Sequence, residues 1–122
     1  MIAHIDAIRR IEDEFPQIAE ELHDEINEGL LHLQISEFSH LAQSFIDSED
    51  KQNFERVCKL FLELFNNGES NLINALNVSF LEHLNFEDEK KQRSWAYNEM
   101  PIKMRVAFDE MEEYNKQLHG NR

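Results

Sequence analysis

Residues 54–84 read FERVCKLFLELFNNGESNLINALNVSFLEHL, and this stretch decides the fold class. Phe54, Val57, Cys58, Phe61, Leu62 and Phe65 recur at steps of three and four, which gathers them into one apolar stripe on a helix. Asn66, Asn67 and Gly68 predict its end, because Asn and Gly tolerate the left-handed backbone that often closes a helix. Ser70 or Asn71 can cap a second helix. On that helix Leu72, Ala75, Leu76, Ser79, Phe80 and Leu84 form the facing stripe, widened by Ile73, Val78 and Leu81. The two helices are expected to pack as a central hairpin.

The rest of the chain extends the helical reading. Ile2, Ile5, Ile8, Ile11 and Phe15 predict an amphipathic helix that Pro16 ends or kinks. Residues 16–28 continue with Ile18, Leu22 and Ile26 on one face and Glu20, Glu21, Asp24, Glu25 and Glu28 on the other, up to a stop at Gly29. Leu31 to Ile35 alternate with period two, but no second strand exists to pair with them; they read as a connection or a helix start. Phe38, Leu41, Ala42, Phe45 and Ile46 restore helical spacing over residues 36–47, before a polar break at residues 48–50. Residues 85–100 form a polar connection with one short helix, fastened by Phe86, Trp95 and Tyr97. Pro101 opens a last helix with Ile102, Arg105, Phe108, Met111, Glu112 and Leu118, together with Val106 and Tyr114, on its inner face; Gly120 ends it.

The expectation is one all-α domain spanning residues 1–122, with about six helices arranged as antiparallel hairpins in a bundle or short stack. Its parts are the acidic helices of residues 1–29, the core hairpin 54–84, the polar connection 85–100 and the C-terminal helix 101–119. Three Gly and two Pro leave little material for the turns of an all-β fold. The lone cysteine, Cys58, lies on an apolar stripe and reads as a buried thiol, in keeping with a reducing compartment. No apolar run approaches the roughly 20 residues that span a bilayer. The N-terminus lacks the layout of a signal peptide. A cytoplasmic protein is expected.

The formal net charge of −13 narrows the partners. It disfavours direct contact with nucleic acid or anionic membranes and favours basic partners. Residues 1–29 hold nine acids against two arginines and so carry −7 of that charge. Catalytic patterns are lacking: there is no H-E-x-x-H, P-loop, G-x-G-x-x-G or G-x-S-x-G, and one cysteine gives no Cys-based zinc site. Glu20–His23 and Glu37–His40 match the Glu-x-x-His of di-iron bundles. With eighteen Glu and six His in 122 residues, about one such pair arises by chance, so the motif carries little weight. Lys90, Lys91 and Arg93 are expected to pair with Glu87, Asp88 and Glu89 rather than with nucleic acid. The expectation is a protein that is not an enzyme and needs no cofactor or metal; a helical metalloprotein is a distant third reading.

Phe61-Leu62-Glu63-Leu64-Phe65, Asn74-Ala75 and Phe80-Leu81-Glu82-His83-Leu84 together resemble a family of small, acidic, all-helical bacterial proteins without an assigned enzymatic activity. Such proteins are similar to immunity proteins of polymorphic-toxin and contact-dependent growth inhibition systems. The resemblance covers about residues 38–112. It implies core roles for Phe80, Leu81 and Leu84, assigns none to Asn74 or Glu82, and does not extend to the acidic N-terminal section. It implies an immunity protein that binds and neutralises a cognate toxin domain, expected to be a basic nuclease. The candidate contacts are Asp13, Glu20, Asp24, Glu25 and Glu28, then Asp88 and Glu89, with Trp95 and Tyr97 as aromatic anchors. The alternative is a helical adaptor or regulatory protein that binds a basic host protein.

Overall fold

The computed structural model describes residues 1–88 and 92–119. The expected helix end at Gly120 and the residues Glu89, Lys90 and Lys91 lie outside the described part. Among the described residues the chain is all-α and forms one domain, with helices α1 His4–Glu14, α2 Ala19–Leu22, α3 Leu31–Asp47, α4 Lys51–Asn67, α5 Ser70–Ala75, α6 Ser94–Glu99 and α7 Ile102–His119. A 3-10 turn, Pro16–Ile18, precedes α2, while a π turn, Leu76–Phe80, and a 3-10 turn, Leu81–His83, prolong α5.

The core overlaps the apolar stripes that the periodicity marked without coinciding with them: on α4, Leu60 and Leu64 are buried outside the expected stripe, while Leu62 and Phe65 within it are only partly buried. Phe54, Val57, Cys58, Phe61 and Leu64 of α4 and Leu72, Ala75, Leu76, Phe80, Leu81 and Leu84 after the turn are all buried. The 76–80 segment, however, packs most closely on α3 rather than on α4. The centre is therefore three elements deep. Phe80 sits between Phe38 and Phe61, with ring centroids 4.9 and 5.1 Å away. Phe15 extends the aromatic series through Phe38 and Phe45, at 6.2 and 5.9 Å. A π turn accommodates an extra residue within a helix, and here Phe80 and Leu81 both face inward as a result. Ser39 Oγ donates to the Phe80 carbonyl (2.9 Å), and His32 is hydrogen-bonded through Nδ1 to Ser79 Oγ (2.7 Å). Both bonds tie α3 to the irregular turn.

The link between α4 and α5 is tight for a different reason than expected. Gly68 has φ −81° and ψ 156°, an ordinary extended conformation rather than a left-handed one. Glycine is required by space: a Cβ there would lie 2.6 Å from the Leu64 carbonyl oxygen and 2.9 Å from Leu72 Cδ2. Next to it the N-terminal strand-like residue Ile2 docks as an isolated parallel bridge, donating to Asn67 O (2.7 Å) and accepting from Glu69 N (2.9 Å). Glu69, not Ser70 or Asn71, holds the N-cap position of α5 and makes no side-chain cap bond, but Asn71 Oδ1 accepts from the first-turn amide of Leu72 (2.9 Å). Asp50 does cap α4, accepting from Asn53 N at 3.1 Å.

Three expected faces need correction. On α1, the inward side is Ala7, Ile8, Ile11 and Phe15, while Ile5 is 69% exposed. Ile2 lies before the helix, and two steps of three set Ile5 about a third of a turn from Ile11, so the ladder cannot all face one way. The stretch 16–28 is not one helix; it ends at Leu22, and Ile26 is exposed. On α7, Met104, Ala107 and Phe108 are buried, whereas Ile102, Val106, Tyr114 and Leu118 face water. Leu31 to Ile35, left open as connection or helix start, begin α3.

Candidate functional site

The acidic section is built on α1, α2 and the loop 23–29. Arg56 of α4 anchors the end of α1: its Nε bonds Glu14 Oε1 (2.8 Å), its Nη2 bonds the Glu14 carbonyl (2.7 Å), and its guanidinium lies 4.8 Å from the Phe15 ring centre. Pro16 then opens the turn into α2, as its fixed φ suits a first helical turn.

Side chains rather than periodicity shape the loop. Asp24 Oδ1 accepts from Ile26 N (2.9 Å) and Asn27 N (2.7 Å), a local side-chain turn that competes with helix. Buried Asn27 donates to Glu21 O (2.8 Å), and buried Gln34 donates to Leu22 O (2.8 Å). These bonds satisfy carbonyls that the end of α2 would otherwise leave unpaired. Gly29, at φ +78°, turns the chain into α3 in a conformation that side chains resist.

His23 links this loop to α1. Its Nδ1 is 2.6 Å from Glu28 Oε2 and its Nε2 is 3.3 Å from Glu12 Oε1. Two carboxylate partners suit an imidazolium, which donates from both nitrogens. The hydrogen bond to Glu28 raises the His23 pKa above its ordinary value; partial desolvation opposes this, and the charges of Glu28 and Glu12 add to it. A cleft of about 420 Å³ lies between α1, the loop and α3, lined among others by His4, Ile5, Glu12, His23, Glu28 and Gln34. Its floor is fixed by His4 Nε2 bonded to Gln34 Oε1 at 2.6 Å.

The candidate carboxylates therefore have different situations. The carboxylates of Asp13, Glu20 and Glu25 are exposed and enter no hydrogen bond or ion pair among the described residues. Asp24 is occupied in holding the loop, and Glu28 is bonded to His23. The Glu20 carboxylate takes no part in the contacts of the His23 imidazole. In the second Glu-x-x-His pair, His40 Nδ1 is 3.7 Å from Glu37 Oε2, and among the described residues no three His, Cys, Asp or Glu gather as metal ligands.

The second candidate group sits elsewhere, on α6 and the segment before it. Asp88 Oδ1 accepts from Gln92 N (2.8 Å). Glu89 lies outside the described residues. Arg93 pairs with Asp47 at the end of α3 (2.8 Å) and donates to the Glu87 carbonyl (3.0 Å), so among the described residues its carboxylate partner comes from α3 and not from Glu87 or Asp88. Trp95 packs edge-on against Phe54 at 5.6 Å, and its buried indole nitrogen has no hydrogen-bond partner among the described residues. Tyr97 donates to the Asp109 carboxylate (2.8 Å), which raises its pKa, and its ring meets Phe86 and Phe108. Both aromatics are partly exposed, yet their contacts among the described residues are within the domain. A second cleft, about 630 Å³, runs between this segment and α7 past Phe86, Glu87, Tyr97, Phe108, Asp109 and Glu112.

Sequence reasoning missed the exposed apolar residues close to the acidic section: Ile26 is 70% exposed, Leu30 52% and Leu33 41%. The signal was present in Asp24-x-x-Asn27 followed by Gly29, a turn pattern that ends the helical register before Ile26.

No helix among the described residues is long and apolar enough to cross a membrane. Searches of curated proteins and of solved structures gave no match. Residues 8–119 match the family described as Domain of unknown function (DUF7674), and with nearly its whole length covered the chain belongs to that family.

Proposed function

We propose that this chain is a binding protein without catalytic activity of its own, an immunity protein that neutralises a basic toxin domain, with a nuclease the expected class. The observation that carries the reading is the acidic N-terminal section, net −7 within 29 residues, whose carboxylates Asp13, Glu20 and Glu25 are exposed and have no ion-pair partner among the described residues. A field of that sign steers a basic surface into encounter and repels nucleic acid and anionic lipid. Once docked, carboxylates held on α1, α2 and the loop stand where a nuclease expects phosphate, and the domain covers the active site. The protein works in the cytoplasm, where such a toxin acts, and requires no cofactor.

Co-expression with a toxin domain encoded beside this chain tests the reading. Growth rescue and co-purification of the pair support it; absence of rescue sinks it. Replacing Asp13→Asn, Glu20→Gln and Glu25→Gln together should slow association by about tenfold and flatten its salt dependence while leaving dissociation nearly unchanged. A stable complex with a basic host protein and none with the toxin would favour the adaptor reading.

A further inference from the structure

The loop 23–29 is unusual in what it holds in place. Its backbone is fixed by Asp24, by buried Asn27 and, through Leu22, by buried Gln34. Leu30 N donates to Asn27 O (2.9 Å), and Gln34 N to Leu30 O (3.0 Å), which joins the loop rigidly to α3. Yet this fixed frame presents Ile26, Leu30 and Leu33 to water. Ile5 adds a fourth exposed side chain on the opposite lip of the cleft that the loop walls. Apolar side chains held out by a preorganised backbone suit an interface, because little ordering entropy remains to be lost on docking.

Charge identifies the occupant. Residues 20–33 contain Glu20, Glu21, Asp24, Glu25 and Glu28 and neither Lys nor Arg. A second copy of a chain at −13 meets like charge there. We infer that the loop 23–29 and the first turn of α3 are the apolar anchor of a protein interface, and that its occupant is a basic surface carrying apolar side chains between lysines or arginines. This deepens the functional reading above and rests on it for the identity of the partner, though not for the chemistry of the surface. Ile26 and Leu30 supply the desolvated centre, and Glu20 and Glu25 form the charged rim.

The test uses an octapeptide alternating lysine and leucine, compared with the same peptide carrying serine for leucine, titrated into the full chain by NMR. The leucine peptide should bind about tenfold more tightly and shift the amides of residues 23–33. The double variant Ile26→Ser, Leu30→Ser should abolish that difference, leave the serine peptide's affinity unchanged and melt with the wild type; Ile26→Val should keep the difference. Equal affinity for the two peptides, shifts centred on the exposed face of α7, or a preference that survives in the double variant overturns the inference. So does a dimer of the wild type that the double variant dissociates. Failure of growth rescue by co-expression overturns the toxin reading separately, whatever the peptides show.

Discussion

Replacing Gly68 separates two explanations of the α4–α5 turn. If glycine were needed for a left-handed backbone, asparagine would substitute for it at small cost. In the structure φ is −81°, so conformation is no obstacle to any side chain. The obstacle is the Leu64 carbonyl oxygen, 2.6 Å from a Cβ, with Leu72 Cδ2 at 2.9 Å. The leucine tip can rotate aside, but the oxygen belongs to the last turn of α4 and moves only with the helix. Overpacking of this kind costs about 1–3 kcal/mol. Gly68→Ala also recovers about 0.4–1 kcal/mol by restricting the unfolded chain. The net expectation is a destabilisation of about 0–2.6 kcal/mol for Gly68→Ala, and more for Gly68→Asn, whose larger side chain meets the same carbonyl. Urea unfolding followed by circular dichroism measures both, as a lower midpoint at unchanged slope. The Ile2 bridge shares this turn, so amide exchange at Ile2 and Glu69 should quicken in both variants. An asparagine variant as stable as the wild type would refute the steric account.

Three further outcomes follow from buried or paired groups. Phe80→Ala removes a ring packed between Phe38 and Phe61 and should cost about 3–5 kcal/mol in urea unfolding; a loss under 1 kcal/mol would mean that the π turn collapses to fill the space. His23 has a raised folded pKa, so its pairing with Glu28 and Glu12 stabilises fully below the unfolded value of 6.5 and fades as pH rises through the folded value. The melting-temperature gap between wild type and His23→Gln should therefore be widest below pH 6.5 and narrow as pH rises above it; a gap constant with pH would contradict this. Burial, aided by the charges of Glu99 and Glu55, pushes the Cys58 thiol up to about 12, and the native protein should resist iodoacetamide at pH 8 until urea unfolds it.

What could be read from the chain and what could not divide along physical lines. The stripes on α4 and residues 70–84 were legible because each is long and bounded by polar positions. Their partner was not, because a stripe states that a face is buried without saying against what; α3 took the place expected of α4. The π turn left no mark, since Leu76–Phe80 fits helical periodicity equally well. On α7 two apolar stripes compete, Ile102 with Val106 and Met104 with Phe108 and Met111, and only the neighbours decide which is covered. The loop 23–29 shows local hydrogen bonding prevailing over period: Ile26 falls four residues after Leu22, yet Asp24 diverts the backbone first.

The candidate site divides in the same way. Acidic residues concentrated near the N-terminus were visible as composition, and Asp13, Glu20 and Glu25 are exposed as expected. Which carboxylates serve the fold was hidden, because Asp24 and Glu28 are engaged by a backbone turn and by His23. Trp95 and Tyr97 stood out as aromatics in a polar stretch, but Phe54, Phe86, Phe108 and Asp109 occupy them within the domain. Beside the acids, the more exposed apolar side chains are Ile26, Leu30 and Leu33.

The central claim is that the acidic N-terminal section captures a basic toxin domain. Its most direct test is the association rate of the purified chain with that domain across ionic strength. The rate should fall steeply with added salt, and a variant carrying Asp13→Asn, Glu20→Gln and Glu25→Gln should associate about tenfold more slowly at low salt, with unchanged melting. A rate indifferent to salt and to all three substitutions, or no complex at all, would contradict it.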